Sequence, residues 1–410
     1  MSDDNTERNQ ENRVEDSRGL ATRSVHAGED RAHYADALTT PIVQTSTYAF
    51  KNSSEIAAFG GGEKERFEYG RYGTPTEKVA QQRLAALEGA EDCVLFASGM
   101  SAITTTILAL VHSRDHIVIT DDAYKRTLEF CSQYLQRFGV DCTIVPFGDY
   151  DALDDAVEER TRFIFSESPT NPYLNIFDLV RLREIAEKHN VLTLVDSTFA
   201  TPFNQKPLDF GVDLVIHSCT KYLAGHNDIL AGAVLGREKL VNKVRDLHHA
   251  FGGVIDPHCS YLLVRGLKTF PLRVAKQNET ATRVARHLEN HPRVERVYYP
   301  ALESHRHHHI AKEQMRGYGG VVTLVMKGAL EHANRFLDAL KLCYIAPSFG
   351  GVETLLTHPA SVSYYDYSRQ ERYDLGITDT LIRLAVGVED PEDIIADLDR
   401  ALEHSAQAGT

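Results

Sequence analysis

From about residue 75 onward, helix-like and strand-like segments alternate along the chain, and this alternation narrows the possible folds more than any other feature. Helix-like TEKVAQQRLAALEGA is followed by strand-like CVLFA, then helix-like SAITTTILAL and strand-like HIVIT. Further short apolar runs stand at 142–145, 162–165, 191–195 and 214–217, separated by helical segments such as 179–188. Short runs that are apolar throughout suit strands buried on both faces, and their alternation with helices is the pattern of a parallel α/β sheet. One large sheet of about seven strands is expected on this pattern.

After Gly266 the texture changes. Longer charged helical segments, ATRVARHLENHP and LEHANRFLDALK, frame and precede strand-like YGGVVTLVMKG and TLIRLAVGV, which predicts a second, smaller α+β domain. Residues 20–74 contain Thr, Ser, Gly and Tyr without sustained periodicity and read as an extended arm. Residues 1–19 carry many charges and no apolar run, so a disordered tail is expected there. The predicted division is therefore tail 1–19, arm 20–74, large domain 75–265 and small domain 266–410, a reasonable partition for 410 residues.

Charge excludes some functions. With 44 Lys and Arg against 58 Asp and Glu, the net charge of -14 offers no general attraction to nucleic acid or to an anionic membrane, so an anionic ligand must be held by local groups. No apolar run approaches the ~20 residues that span a bilayer, and a soluble, cytoplasmic protein is expected. Six scattered cysteines without a CxxC pair read as reduced thiols. The run His305-Arg306-His307-His308-His309 suggests a metal site at first sight. Consecutive side chains cannot all face one ion from regular structure, so no metal is expected and the run reads as a polar loop or helix start.

Three segments carry chemistry. In LVIHSCTKYLAGH, Lys221 follows an apolar strand among small residues, where burial would depress its ammonium as a Schiff-base lysine requires; alone, it could also be a surface lysine at a strand exit. In VLTLVDST, Asp196 ends an apolar strand at its C-terminal edge, where open α/β sheets bind ligands, although a helix cap would look similar. It precedes Lys221 by 25 positions, room for one crossover and a return strand. In FASGMSA a strand stops at small residues and a helix follows, a possible phosphate cradle that many ordinary strand-helix turns resemble. Neither G-x-x-x-x-G-K-[ST] nor an early G-x-G-x-x-G is present, which counts against nucleotide and dinucleotide sites.

Taken together with TRSVHAG, YGRYGTPT, SPTNP, IAPSFGG, ETLLTHPA and RLAVGVED in the same order, these segments resemble the Cys/Met-metabolism group of fold-type I pyridoxal-phosphate enzymes, from about Thr22 to Leu402. The resemblance implies pyridoxal 5'-phosphate as cofactor, Lys221 as its attachment point, Asp196 as partner of the pyridine nitrogen and Tyr124 as the stacking ring. It also implies Asn171 near the phenolic oxygen, with Gly99, Met100, Ser218 and Thr220 around the phosphate. Tyr69 and Arg71 would reach in from a neighbouring subunit, in a homotetramer of two active dimers. Arg383 would clamp the substrate α-carboxylate, with Ser348 beside it; a planar guanidinium suits a planar carboxylate.

Within the family, IAPSFGGVE, EYGRYGTPT and DDAYKRT are most similar to plant-type cystathionine γ-synthases. Lys125 and Arg126, directly after Tyr124, would put two cations beside the site, useful for a phosphate leaving group, although both could be solvated residues of a helix start. The implied activity on small amino-acid substrates is γ-replacement on an activated homoserine by cysteine. A γ-lyase would share the cofactor residues. A non-catalytic binding protein of the same fold would be expected to lose Lys221 or Arg383, and both are present.

Overall fold

A computed structural model describes residues 18–30 and 32–406. Most of the expected tail, residues 1–17, lies outside the described residues.

The large sheet has seven strands: β1 (Asp92–Phe96), β2 (His116–Thr120), β3 (Asp141–Val145), β4 (Thr161–Glu167), β5 (Leu192–Asp196), β6 (Leu214–His217) and β7 (Gly232–Gly236). Their order is β1-β7-β6-β5-β4-β2-β3. Only β7 runs against its neighbours, pairing antiparallel with β1 and β6, while the β3-β2-β4-β5-β6 stretch is parallel throughout. Apolar groups bury both faces: Phe96, Ile117, Phe165, Leu194 and Ile216 on one, Val118, Ile164, Val195 and Val215 on the other. This two-sided burial is why these strands are continuously apolar in sequence.

Local chemistry sets the helix ends. Thr74 caps the helix Pro75–Glu88 by accepting from the Glu77 N–H, Pro75 takes the first position and Gly89 closes it at φ 83°. Ser98 caps the helix Gly99–Leu110 through the Ser101 N–H, and Asp256 caps the helix Pro257–Glu289 through that of His258. The last of these runs for 33 residues and passes straight through the domain boundary expected at 266. Pro271 sits inside it and cannot donate to the carbonyl of Leu267; the buried Ser24 hydroxyl, from the arm, donates there instead.

The second sheet contains β8 (Val294–Tyr298), β9 (Val321–Met326), β10 (Tyr344–Ile345), β11 (Leu355–Thr357) and β12 (Leu381–Ala385), ordered β10-β11-β12-β9-β8. One apolar cluster joins the two sheets, running from Leu95 and Leu235 through Leu267 and Phe270 of the long helix to Leu324 and Leu384. Both sheets are thus fastened to one helix, which holds β12 in a defined place relative to the edge of β4, β5 and β6. Among the described residues, no helix is long and apolar enough to cross a membrane.

Candidate active site

The parallel strands β4, β5 and β6 end side by side, with Glu167 opposite Asp196 and Asp196 opposite Ile216. Adjacent parallel strands deliver their following loops to one edge, so Asn171, Asp196 and Lys221 converge there although 50 residues separate the first from the last. Lys221 lies on the turn after β6, and its Nζ donates to Ser348 Oγ at 2.7 Å and stands 5.1 Å from the centre of the Phe349 ring. Burial, and secondarily the Arg383 cation, lowers its ammonium to about 8. A lysine so depressed is available as the neutral amine that attacks an aldehyde.

Ser348 has φ 101°, a backbone conformation that favours glycine, and its loop is held at one end by the Ala346 N–H on Leu356 O and at the other by the Gln277 amide on Gly351 O. Arg383, on β12, donates through one terminal nitrogen to Asn171 Oδ1 at 3.0 Å and through the other to Ser348 O at 2.8 Å and Thr357 Oγ1 at 3.2 Å. Burial lowers this guanidinium to about 10, and its Nε is buried without a partner among the described residues. A buried cation whose hydrogen-bond acceptors are all neutral, with one donor to spare, fits an incoming carboxylate.

Asp196 is 7% exposed, and its Oδ1 accepts from the N–H of Thr198 at 3.0 Å and its hydroxyl at 2.5 Å. Burial raises the carboxyl against those two bonds. A protonated ring nitrogen would supply the counter-charge that this burial lacks. Thr198 also accepts from the Ser218 N–H at 2.8 Å, tying Asp196 to the turn that carries Ser218. Beside that turn the helix Gly99–Leu110 begins, and the N–H groups of Gly99 and Met100 have no intrahelical acceptor. A Cβ on Gly99 would lie 3.0 Å from Ser218 Cβ and 3.1 Å from its Oγ, so glycine lets the helix start approach Ser218. These groups fit a phosphate, which helix N-termini favour. Thr220 is on the same turn but engages Ala231, donating to its carbonyl at 3.2 Å and accepting from its N–H at 2.9 Å.

Tyr124 is held by its backbone, whose N–H donates to Glu167 Oε2 at 2.8 Å, while 43% of the residue is exposed at the site. Glu167 is buried, and burial together with the neighbouring Asp196 pushes its carboxyl well up. Glu167 and Thr198 escaped the sequence reading. The readable signal was their adjacency to SPTNP and to Asp196, but only the strand register sets Glu167 opposite Asp196, and only the hydrogen bonds of Thr198 to Asp196 and Ser218 show what it holds.

Each cation after Tyr124 has a carboxylate in place. Lys125 Nζ donates to Asp366 Oδ1 at 2.8 Å and Ser363 O at 3.2 Å, with the Tyr367 ring centre 4.4 Å away. Arg126 is exposed and pairs with Glu129 at 2.6 Å. Lys125 is therefore caged by the 363–367 segment and is not a solvated helix-start residue, whereas Arg126 is one. Tyr69 and Arg71 lie apart from these groups on the arm: Arg71 reaches Tyr72 and the carbonyl of His249, and the Tyr69 ring is near Tyr72.

The histidine run is structural. His305 faces Tyr173 O at 3.2 Å, His307 accepts from the Ile176 N–H at 3.2 Å and His308 faces Pro300 O at 2.8 Å as the helix His308–Gln314 begins. No three His, Cys, Asp or Glu residues are grouped to hold a metal among the described residues, and all six cysteines are free.

Comparison with known proteins agrees with this geometry. The chain is 48% identical over 383 residues to cystathionine gamma-synthase 1, chloroplastic, of Arabidopsis thaliana, covering 93% of this chain and 68% of that protein. It is 41% identical over 388 residues to an L-methionine gamma-lyase of Fusobacterium nucleatum subsp. polymorphum, covering 94% and 98%. The crystal structure of metB from Corynebacterium glutamicum superposes with a TM-score of 0.88 at 34% identity, over 95% of this chain and 99% of that one. A family model matches residues 21–403, nearly all of the described chain, and by that match this protein belongs to the Cys/Met metabolism PLP-dependent enzymes.

Proposed function

We propose that this enzyme replaces the γ-substituent of an activated homoserine with the thiol of cysteine, giving cystathionine. The observation that carries the choice within the family is the 48% identity to a named cystathionine gamma-synthase over 93% of the chain, against 41% to a named γ-lyase. When bound, pyridoxal phosphate supplies an electron sink for charge developing at the substrate α-carbon. Gly99, Met100 and Ser218 would hold its phosphate and Asp196 its ring nitrogen, with Thr198 fixing Asp196 and Tyr124 covering the ring. Arg383 binds and orients the amino-acid carboxylate, helped by Asn171 and the Ser348 loop. Lys221, the residue that would carry the cofactor, would take protons from the substrate α- and β-carbons at its Nζ. Ser348 Oγ holds that nitrogen on the path. Tyr124, half exposed, would assist departure at the γ-carbon.

The direct test is a product assay with O-phospho-, O-acetyl- and O-succinylhomoserine, with and without cysteine. Cystathionine formed only with cysteine, faster than 2-oxo acid and ammonia, is the expected result. Dominant 2-oxo acid in the presence of cysteine would make the chain a γ-lyase.

For the leaving group, the Lys125 cage supports an anion site that Asp366 fills between turnovers. Arg126→Ala, which removes an exposed cation already paired with Glu129, should change either ester little, whereas Lys125→Ala is expected to lower kcat/KM for O-phosphohomoserine by ~10–100-fold, the worth of one charge-assisted hydrogen bond. O-acetylhomoserine should change much less. Equal losses on both esters would remove phosphate recognition.

The same proposal includes a homotetramer of two active dimers, in the cytoplasm, with Tyr69 and Arg71 completing a neighbour's cofactor site. Exposed apolar side chains on the arm support it, with Tyr34 at 87% and Leu38 at 94% exposure. Mixing inactive Lys221→Ala with inactive Arg71→Ala protein is expected to restore activity through hybrid sites, approaching a quarter of the wild-type sites for random pairing of equal amounts into dimers, on the order of 25%. Fully active monomers would overturn it.

A further inference from the structure

Lys221 and Ser348 meet at 2.7 Å, yet they come from different sheets and neither is carried by a regular element. What holds the two segments in place lies behind them, on one face of the helix Pro257–Glu289. Arg273, 6% exposed, donates through one terminal nitrogen to Tyr222 O at 2.8 Å and through the other to Leu223 O at 3.4 Å and to Gly266 O, in its own helix, at 2.8 Å. Its Nε donates to Thr269 Oγ1 at 3.1 Å. Tyr222 and Leu223 directly follow Lys221, and their carbonyls end the short turn closed by Gly225 N–H to Lys221 O at 2.8 Å. One helical turn further on, the fully buried Gln277 donates through its amide nitrogen to Gly351 O at 2.7 Å and Val386 O at 3.2 Å. Gly351 ends the SFGG segment that carries Ser348.

Three glycines make this arrangement possible. A Cβ on Gly225, at φ 74°, would sit 1.9 Å from an Arg273 terminal nitrogen. One on Gly266 would sit 2.3 Å from Ala224 O, and one on Gly350, at φ 80°, 2.6 Å from Tyr222 N. The Lys221 turn is thus pressed between the helix on one side and the Ser348 loop on the other. Both buried side chains are poorly compensated. Among the described residues, every hydrogen-bond acceptor of the Arg273 guanidinium is neutral, and the Gln277 carbonyl oxygen is buried without a partner. An apolar residue would serve mere packing better at such positions.

We propose that Arg273 and Gln277 are positioning residues for the reaction, a rigid pair on one helix face that sets where Lys221 Nζ and Ser348 Oγ stand relative to each other. The proposal rests on Lys221 as the cofactor-bearing lysine. Neither residue touches the reacting atoms. Their effect is geometric, and misplacement of a reacting group by about 1 Å costs on the order of 10²-fold in rate. Lysine at 273 keeps the charge but cannot span three carbonyls from a single nitrogen.

The experiment compares Arg273→Lys and Gln277→Leu with wild-type holoenzyme, and uses Arg283→Ala, an exposed cation on the same helix paired with Glu392, as control. Expected for both variants is a kcat lower by ~10–100-fold with KM for the amino-acid substrate within about threefold, since the Arg383 clamp is intact. The pH at which the bound cofactor's visible band titrates should move as well, because the environment of Lys221 has changed; the control should shift neither quantity. The proposal is overturned if both variants fold and keep the wild-type kcat and spectral titration. If Arg273→Lys does not fold, Gln277→Leu decides on the same two readouts. Borohydride labelling of wild type separates this from the functional reading: a label on another lysine refutes the Lys221 assignment itself, whereas a label on Lys221 with unchanged variants refutes only the positioning pair.

Discussion

If Lys221 has the role proposed for it, replacing it with alanine is expected to lower turnover by at least ~10³-fold, the scale on which enzymes depend on a positioned acid-base group that is also the point of covalent attachment. Borohydride followed by peptide mapping should label Lys221 in the wild type and no residue in the variant. The second consequence is opposite in sign. Burial lowers the Lys221 ammonium from 10.5 to about 8, so in the cofactor-free protein the charged form is penalised. At ~1.4 kcal/mol per pH unit this is up to about 3 kcal/mol, before the hydrogen bond to Ser348 is subtracted. Below pH 8 the lysine is charged in both folded and unfolded chains and the full cost falls on the folded state. As the pH rises from about 8 toward 10.5 the folded group loses its proton first, and the cost fades. Cofactor-free Lys221→Met should therefore resist urea better than cofactor-free wild type at pH 7, with the advantage shrinking above pH 8. An equally stable variant at pH 7, or an advantage that persists to high pH, would contradict a buried, depressed lysine.

Arg383→Lys is expected to raise KM for the amino-acid substrate by ~10²-fold with a smaller fall in kcat, because a carboxylate clamp binds ground state and transition state alike. The geometry explains why lysine fails. The guanidinium already spends its terminal nitrogens on Asn171, Ser348 and Thr357 and keeps a buried Nε unpaired, so it is oriented before a carboxylate arrives. An ammonium on a flexible stem would have to choose among those partners. Wild type should also reject the α-carboxamide analogue of its substrate, and Arg383→Lys should lose much of that discrimination. A variant with wild-type KM for the carboxylate substrate would remove Arg383 from the clamp.

Much of the large sheet was legible because its strands are buried on both faces and so appear as uninterrupted apolar runs between helical patterns. The pairs β10–β11 were not, since Tyr344–Ile345 and Leu355–Thr357 are too short to show a period. The boundary at 266 followed a real change in charge pattern, yet the backbone continues as one helix there, because a helix can change the surface it packs against without ending. Lys125 read as either an anion ligand or a solvated residue; its cage comes from Asp366 and Tyr367, more than 230 residues away, which no local pattern records.

What the sequence determined by itself was the alternating architecture, the kinds of groups available and, through the order of its motifs, the chemistry they serve: Lys221, Asp196 and Arg383 each stand in a segment whose local pattern places them at or beside a strand. What only the tertiary structure decided was how those groups are held: Thr198 on Asp196, Glu167 on Tyr124, the strained Ser348 beside Lys221, and Arg273 and Gln277 behind both. Periodicity and propensity are short-range, reporting which face of its own element a residue occupies. Hydrogen bonds and packing between elements depend on strand order and on the closeness that single glycines permit, and these exist only once the two sheets are fastened to their common helix.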